Sequence, residues 1–388
     1  MISVEEAQAR LLALAAPLPP ETVPLRAAAN RWLAAPVAAR RDQPPFDASA
    51  MDGYAVAGDP AAGDSFQVVG EAGAGHGFAG RVGPGQAVRI FTGAPVPAGA
   101  SRVVIQEDVD RQEDRITLRV GAESGRNIRP QGADFAAGAS LAPRWLRPAD
   151  LALLAAMNVA QVPVARRPVV AFIATGDELV MPGEDPGPDQ IIASNSFALE
   201  AMARAAGAET RLLPIARDED AALRAVFALA EGADVIVTIG GASVGDHDLV
   251  ARTAGDLGLV PAFQKVAMRP GKPLLAGRLG ASVLLGLPGN PVSAILTGQL
   301  FLLPLLRALQ GDPAPLPAAL SATLTEALPA NGPRAHYMRA RLAGDRITPF
   351  AQQDSALLTI LSEASALLIR PASDGPRQPG ESVPYLPF

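Results

Sequence analysis

Asp234-Val-Ile-Val-Thr-Ile-Gly-Gly-Ala-Ser-Val-Gly-Asp-His-Asp248 joins an apolar run directly to a glycine-rich, acidic turn, and the rest of the chain can be ordered around it. The run 235–239 is mostly β-branched without polar alternation, which predicts a strand covered on both faces of a parallel sheet. Ligands of open α/β sheets bind beyond the carboxyl ends of the strands, so the turn is a candidate site, although a glycine pair also makes plain tight turns. The turn residues that offer amides or polar side chains are Gly240, Gly241, Ser243, Gly245, Asp246 and Asp248.

The composition is that of a folded protein with several domains. A chain of 388 residues is long for one core and suggests roughly two to four domains. Hydrophobic residues make up 49% of it, which argues against disorder even though glycine and proline number 37 each. Because the chain has no cysteine, a disulfide framework and a thiolate metal site are excluded.

Charge and hydropathy lead us to expect a cytoplasmic protein without membrane or nucleic-acid partners. The start Met-Ile-Ser-Val-Glu-Glu lacks the basic and apolar regions of a signal peptide. The apolar stretch 294–309 is interrupted by Gln299, Pro304 and Arg307, so we expect it to fall short of a membrane span. The net charge is −6 and no long basic run occurs, which disfavours nucleic acid.

Two amphipathic helices are predicted on either side of a β-rich insertion. Residues 3–16 carry apolar side chains on one helical face behind Ser3 as a cap, and a second helix is expected from Arg147 through Met157. If these helices pack together, the segment between them is an insertion. Residues 47–140 indeed read as short strands between Gly, Pro and Asp turns. Within them, Gly75-His-Gly-Phe-Ala-Gly80 matches G-x-G-x-x-G only formally, because the following Arg-Val-Gly-Pro-Gly cannot open a helix.

From Arg167 onward, strands and helices alternate. This order predicts right-handed crossovers and a parallel sheet. Three strand ends carry polar, glycine-containing turns, at 175–178, 240–248 and 286–293. The tail 313–388 returns to short strands, which predicts a small β-barrel or sandwich.

The strand-end loops place several carboxylates beside cations. Carboxylates in this number suit Mg²⁺, while lysine and arginine suit an oxyanion. Together with glycine-rich backbone donors they predict an anion-handling site, most simply for a phosphorylated or nucleotide-bearing ligand. The acids are Asp177, Glu178, Asp218, Asp246 and Asp248, and the cations are Lys265, Arg269 and Lys272.

Several other chemistries are disfavoured. The sequence has no G-x-x-x-x-G-K-[ST] motif, so a P-loop NTPase is not expected. His76, His247 and His336 lie in separate segments without the spacing of zinc ligands. Ser293 lacks the G-x-S-x-G context of a serine hydrolase, and Ser243, which stands in Gly241-Ala-Ser-Val-Gly245, has no plausible histidine partner nearby except His247, so a serine hydrolase is a poor fit.

The chain resembles the molybdopterin molybdenumtransferases, the bacterial molybdenum insertases, over nearly its whole length. The motifs that carry the resemblance are Asp47-Ala-Ser-Ala-Met-Asp-Gly-Tyr-Ala55, Thr92-Gly-Ala-Pro95, Thr175-Gly-Asp-Glu-Leu179, Gly240-Gly-Ala-Ser-Val-Gly-Asp-His-Asp248, Arg269-Pro-Gly-Lys-Pro273 and Gly286-Leu-Pro-Gly-Asn-Pro-Val-Ser293. Six motifs in this order are highly specific.

The resemblance implies a multidomain α/β plus β architecture in an elongated homodimer. Its parts are a small helical region (1–46 and 141–166), an inserted β-rich domain (47–140), a doubly wound molybdopterin-binding α/β domain (167–312) and a C-terminal β-barrel (313–388). The implied reaction inserts molybdenum from molybdate into adenylylated molybdopterin and releases AMP, with Mg²⁺ or a similar divalent ion. Transient contacts with the molybdopterin adenylyltransferase and with apo-molybdoenzymes are also implied.

Site residues follow from the same resemblance. The implied catalytic residues are Asp52, Glu178, Asp218, Asp248, Lys265 and Arg269, of which Glu178, Asp218 and Asp248 are the candidate metal ligands. The implied substrate-binding residues are Thr92, Gly240, Gly241, Ser243, Gly245, Lys272, Pro288, Gly289, Asn290, Ser293 and Ser355. The use of tungstate, the recipient enzymes, the acids that bind metal and the subunit that supplies Asp52 stay open.

Three departures from the family pattern bear on the site. Arg269 stands where the family often has lysine, so a planar fork replaces a point charge. Ala193-Ser-Asn195 replaces a pattern that more usually begins with an acid, and Gln353-Asp354-Ser355 departs from a Gly-Ser turn.

Two other functions fit the same α/β module. One is the adenylyl transfer that precedes insertion, which would consume ATP with non-adenylylated molybdopterin; the extra β domains argue against it. The other is a non-catalytic scaffold that binds molybdopterin without turnover.

Overall fold

The computed structural model describes residues 1–241 and 249–388, which form two compact units. One unit combines residues 1–21 with 165–388, and the other consists of residues 22–164. Helix α1 (Val4–Leu12) belongs to the first unit. It is capped by Ser3, whose Oγ accepts a hydrogen bond from the Glu6 amide at 3.1 Å, as an N-cap serine does.

The unit of residues 22–164 is mainly β. In chain order its elements are β1 (Pro20–Pro24), β2 (Val37–Ala38), β3 (Ala48–Ser49), β4 (Gly53–Val56), β5 (Ser65–Ala72), β6 (Gln86–Ile90), β7 (Arg102–Ile105), β8 (Val109–Gln112), β9 (Arg115–Leu118), β10 (Ile128–Arg129), β11 (Ser140–Leu141), α2 (Pro148–Ala156) and β12 (Gln161–Ala165). Six strands form one sheet in the order β7-β4-β6-β5-β9-β8. Tyr54 and Val56 enter one apolar cluster and Ala55 another, because side chains alternate between the faces of a strand.

The two predicted helices do not share a core, so the expected pairing is wrong. Leu11 of α1 packs in the cluster that contains Phe263 and Phe301, whereas Leu154 of α2 packs with Leu33 in the other unit. Amphipathic spacing identifies a buried face but does not identify the surface that covers it. The β-rich insertion is nevertheless confirmed as a sheet, while the division into four segments at the stated boundaries stays a prediction.

The α/β part continues the first unit. Its elements are β13 (Val169–Ala174), β14 (Leu179–Val180), β15 (Ile191–Ile192), α3 (Asn195–Ala205), β16 (Glu209–Leu212), α4 (Asp220–Leu229), β17 (Val235–Ile239), α5 (Leu249–Asp256), β18 (Val260–Lys265), β19 (Met268–Arg269), β20 (Pro273–Leu279), β21 (Ser282–Leu287), α6 (Pro291–Thr297), a π-helical segment (Gly298–Leu302) and α7 (Leu303–Leu309).

The predicted parallel sheet is confirmed. Its order is β16-β13-β17-β21-β20-β18, and the first four strands are parallel. The strands β20 and β18 add an antiparallel edge. Within β17, Val235 and Val237 face one apolar cluster and Ile236 faces another, so both faces are covered as the sequence indicated.

The apolar stretch 294–309 lies in a helix from Pro291 to Leu309, and the expectation that it falls short of a membrane span is wrong on length and composition. The 19 residues of this helix have a mean hydropathy of 1.7 in the most apolar window, long and apolar enough to cross a membrane. That window is 78% buried within the fold, so the helix is a core helix by packing. Pro304 does not end it, because its missing amide falls in the first turn of α7 after the π-helical segment.

The C-terminal region is a closed barrel. Its elements are β22 (Leu320–Leu324), β23 (Ala335–Ala343), β24 (Arg346–Pro349), α8 (Leu358–Glu363), β25 (Ala366–Arg370) and β26 (Ser382–Pro387). The order β23-β24-β22-β26-β25 closes on itself through pairing of β25 with β23. The predicted barrel is therefore confirmed; β24 is one of its five strands, and α8 lies between β24 and β25 in the chain. Strand β19 of the α/β part pairs with β23, which places the Arg269 backbone beside that of His336.

Candidate active site

A cavity of about 630 Å³ lies at the carboxyl ends of β13, β17 and β21, where a doubly wound sheet is expected to bind its ligand. The turns after all three strands contribute to its wall. The predicted site residues that line it are Glu178, Asp218, Gly240, Gly241, Pro288, Gly289 and Asn290.

Glycine is required where two of these turns meet. Gly240 and Gly241 have φ angles of +93° and +64°, which residues with a side chain rarely adopt. A Cβ at Gly241 would lie 2.3 Å from Cγ2 of Val250, and one at Gly289 would lie 3.5 Å from the Cα of Gly240. Glycine at positions 240 and 241 therefore lets this turn pack closely against its protein neighbours at the wall of the cavity.

Two acids, Glu178 and Asp218, line this cavity. Within residues 1–241 and 249–388 neither forms an ion pair. Burial raises the pKa of Asp218, and the nearby carboxylates of Asp177 and Glu178 raise it further. The loop is fixed by the Asp218 amide, which donates to Asp177 Oδ1 at 3.2 Å. This acidic pair favours the approach of a cation.

The turn before α6 connects the sheet to the barrel. Asn195 donates from Nδ2 to the Gly289 carbonyl at 2.7 Å. Asn290 donates to Ser355 Oγ at 3.1 Å, and the Val292 amide donates to the Ser355 carbonyl at 3.0 Å. The barrel loop that carries Ser355 is thus held against the first turn of α6.

A second cavity of about 320 Å³ adjoins the first. The two share Pro273, Pro288 and Asn290 in their walls. The remaining lining residues of the second cavity are Arg269, Pro270, Gly271, Lys272, Ser293, Arg334, Gln353, Asp354 and Ser355. With three cations against one acid, this smaller cavity suits an oxyanion.

Arg334 is a site residue that the sequence did not indicate. It lies just before β23, where Asn331-Gly-Pro reads as a turn, and it joins the cavity because β23 pairs with β19. A basic residue at a strand start next to a Gly-Pro turn was the available signal. Ile191, Ile192, Asn195, Asp354 and Ala356 also line the cavities and were not assigned to the site.

His336 lies beneath this cationic region but adds no charge to it. Its side chain is 8% exposed, and burial together with Arg269, Arg370, Arg339 and Arg334 lowers its pKa to about 4. The imidazole is therefore neutral at pH 7.

Lys265 is not brought into either cavity as the described residues define them. It ends β18, is exposed, and pairs through its backbone with Pro273, which does line both. Its catalytic role stays a prediction.

Asp52 and Thr92 lie together in the unit of residues 22–164. The Thr92 amide and hydroxyl donate to Asp52 Oδ1 at 2.7 and 2.8 Å. These two hydrogen bonds, with a smaller contribution from Arg89, lower the pKa of Asp52. Arg89 stacks on the rings of Tyr54 and Phe91, at 5.0 and 4.8 Å from their centroids. Asp52 is thus a fixed, ionised carboxylate.

Four candidate site residues from the sequence, Ser243, Gly245, Asp246 and Asp248, lie outside the described residues. Of the proposed metal ligands, the structure places Glu178 and Asp218 in one cavity. In the described part of the chain, no group of three or more His, Cys, Asp or Glu residues could hold a metal ion.

With this geometry established, comparison with known proteins identifies the class. Residues 2–158 match the MoeA N-terminal region (domains I and II), residues 171–308 match a probable molybdopterin-binding domain, and residues 321–388 match the MoeA C-terminal region (domain IV). The three matches together define a MoeA-type protein with a molybdopterin-binding α/β domain.

The relatives make the assignment more specific. The chain is 38% identical to molybdopterin molybdenumtransferase 2 of Mycobacterium tuberculosis over 387 residues, covering 95% of each chain. It is 34% identical to the molybdopterin molybdenumtransferase of Bacillus subtilis over 402 aligned positions, covering 99% of this chain and 94% of that one. The crystal structure of the molybdopterin biosynthesis MoeA protein of Pyrococcus horikoshii superposes with a TM-score of 0.86 at 27% identity over the full length of both chains. The chain belongs to the molybdopterin molybdenumtransferase family.

Proposed function

We propose that this chain inserts molybdenum from molybdate into adenylylated molybdopterin, releasing AMP and the finished cofactor. The observation that carries this proposal is the pair of adjoining cavities, one with acids and close backbone, the other with cations. A reaction between a nucleotide-linked pterin and an oxyanion needs two such compartments with a common wall.

The larger cavity accommodates the adenylylated pterin. Gly240 and Gly241 bring backbone close to the ligand, and the turn 286–290 closes the opposite side. Ile191 and Ile192, which are 58% and 38% exposed, give one wall an apolar surface suited to a flat ring. The volume of about 630 Å³ is within the range of small-molecule sites.

The smaller cavity accommodates the oxyanion. Arg269 and Arg334 present planar forks and Lys272 a compact ammonium group, which together neutralise a doubly charged anion. Molybdate is the substrate that the family's reaction supplies at this position. Because Asn290 lines both cavities, an anion here lies next to the nucleotide-bearing ligand.

The residues of the larger cavity also fit Mg²⁺. Glu178 and Asp218 are oxygen donors, and burial together with the nearby carboxylates of Asp177 and Glu178 raises the pKa of Asp218. Mg²⁺ usually takes one or two carboxylates together with substrate phosphate. When bound, the ion would polarise the phosphoanhydride. Asp248, outside the described residues, is the third proposed ligand.

A turnover assay tests this function. Purified protein, adenylylated molybdopterin, molybdate and MgCl₂ should give AMP and a cofactor that activates an apo-molybdoenzyme. Asp218→Asn should stay folded and lose turnover by at least roughly a hundredfold if it holds the metal. ATP consumption with non-adenylylated molybdopterin would instead identify the adenylyltransferase, and tight binding without AMP release would identify a scaffold.

We also propose a cytoplasmic homodimer in which Asp52 of one subunit serves the cavity of the other, with transient contacts to the adenylyltransferase and to apo-molybdoenzymes. Family resemblance supports this proposal. In mixed dimers of Asp52→Ala and Asp218→Ala, sharing in trans leaves one site of each heterodimer intact and restores activity. If every site uses its own Asp52, mixing restores nothing.

A further inference from the structure

The smaller cavity contains a carboxylate that its proposed role does not call for. Asp354 lines the cavity beside Arg269, Lys272 and Arg334. In the described residues it forms no ion pair with any of these three cations, and the guanidinium on which its charge acts is that of the buried Arg339, whose pKa burial lowers and Asp354 raises. The acid is therefore in the anion cavity without being neutralised by a salt bridge.

The backbone explains why the carboxylate stays where it is. Asp354 Oδ1 accepts a hydrogen bond from the Ala356 amide at 2.8 Å, which is the hydrogen bond of an Asx turn. The preceding residue, Gln353, is fixed by Arg339, whose backbone amide donates to Gln353 Oε1 at 3.0 Å. Gln353 in turn donates from Nε2 to the Arg339 and Phe350 carbonyls, at 2.9 and 2.8 Å. The loop therefore holds Asp354 at the cavity wall.

A fixed carboxylate acts on different oxyanions in different ways. It only accepts hydrogen bonds, and molybdate and sulfate carry no proton at neutral pH, so it repels both. Phosphate retains a proton that it can donate to a carboxylate. A cavity of about 320 Å³ keeps its lining charges within roughly one Debye length of a bound anion, about 10 Å at 0.1 M salt, so this repulsion is only partly screened.

We infer that Asp354 is a specificity-determining residue of the anion cavity. Its carboxylate lowers the affinity of the cavity for proton-free oxyanions more than it lowers the affinity for hydrogen phosphate. The inference rests on the proposed function, because it assumes that molybdate binds in this cavity. A moderate affinity for molybdate suits a substrate that has to leave this cavity and react with its acceptor.

Asp354→Asn is the decisive variant, because asparagine keeps the Asx turn and removes only the charge. Isothermal titration of the full chain at low ionic strength should show about three- to tenfold tighter molybdate binding, as expected for one charge acting on a dianion across several ångströms of water-like dielectric. The gain should be smaller for phosphate, and it should shrink as salt is added. Asp345→Asn, an exposed acid in the turn between β23 and β24, removes the same charge away from the cavity and should change affinity less than twofold.

The outcomes separate this inference from the proposed function. Unchanged or weaker molybdate binding in Asp354→Asn, with the wild type binding molybdate, would overturn the inference alone. Equal molybdate affinity in the wild type and in Arg334→Ala would overturn the assignment of molybdate to this cavity and the inference with it, whereas the insertase function fails only if the turnover assay gives no AMP and no active cofactor.

Discussion

The two cavities share a wall and yet are built in opposite ways. The larger one lies entirely at the edge of one parallel sheet, where successive turns contribute glycines and the acids Glu178 and Asp218. The smaller one lies between the α/β part and the barrel, and its cations come from both. The fold thus separates a cation-attracting compartment from an anion-attracting one by little more than the turn that carries Asn290. That separation allows two negatively charged substrates to be held side by side without sharing the same countercharge.

The largest expected effect is a substitution in the smaller cavity that weakens the binding of molybdate and leaves the binding of AMP unchanged. Arg334→Ala removes a guanidinium group from the anion cavity. The KM for molybdate should rise roughly ten- to hundredfold, because hydrogen bonds between charged groups are stronger than those between neutral groups. Binding of AMP, measured by titration calorimetry, should be unchanged. Arg346→Ala, an exposed arginine of the same barrel that lines neither cavity, is the matched control. An equal loss of AMP and molybdate binding would mean that the cavities do not act as separate compartments.

This difference between the cavities also explains what the sequence could predict. Parallel strands end at the same edge, so the turns after β13, β17 and β21 could be brought together from their order alone. The contribution of Arg334 depends on β19 of the α/β part pairing with β23 of the barrel, a contact that no periodicity encodes. The same limit made the pairing of α1 with α2 wrong, because each helix shows an apolar face without showing its partner. Ser355 was assigned only by resemblance; the structure places its hydroxyl against Asn290, and its role in substrate binding stays a prediction.

An intermediate effect concerns the backbone of the larger cavity. Gly241→Ala places a side chain at a φ of +64° and 2.3 Å from Val250 Cγ2. The left-handed conformation alone costs about 1–2 kcal/mol, and the contact adds to it, so the midpoint of thermal unfolding should fall and AMP should bind more weakly.

Gly280→Ala is the control for this substitution. Gly280 has a φ of +57°, in the hairpin between β20 and β21, and a Cβ there meets nothing within 4 Å. The Gly280→Ala variant should lose only the stability that corresponds to the cost of the left-handed backbone conformation, and its affinity for AMP should be unchanged. If both variants bind AMP like the wild type, close approach of the backbone at Gly241 is not part of the nucleotide site.

The smallest effect is a pH dependence of stability that has opposite signs at two neighbouring acids. Burial and nearby carboxylates raise the pKa of Asp218 in the folded state, so its favourable contribution is present at low pH and is lost as pH rises through that pKa. Asp218→Asn should therefore melt like the wild type at acidic pH and at a higher temperature at neutral pH. Asp220 differs: hydrogen bonds from Arg224 and Thr253 lower its pKa, so its contribution is present above its unfolded pKa and is lost as pH falls. Asp220→Asn should accordingly be less stable at neutral pH and converge with the wild type in acid. Thermal melts of the three proteins across the acidic to neutral range measure both trends.

Added MgCl₂ should raise the neutral-pH melting temperature of the wild type more than that of Asp218→Asn, because ligand binding to the folded state stabilises it. If MgCl₂ shifts the two equally, the carboxylate of Asp218 is not the group that attracts the cation.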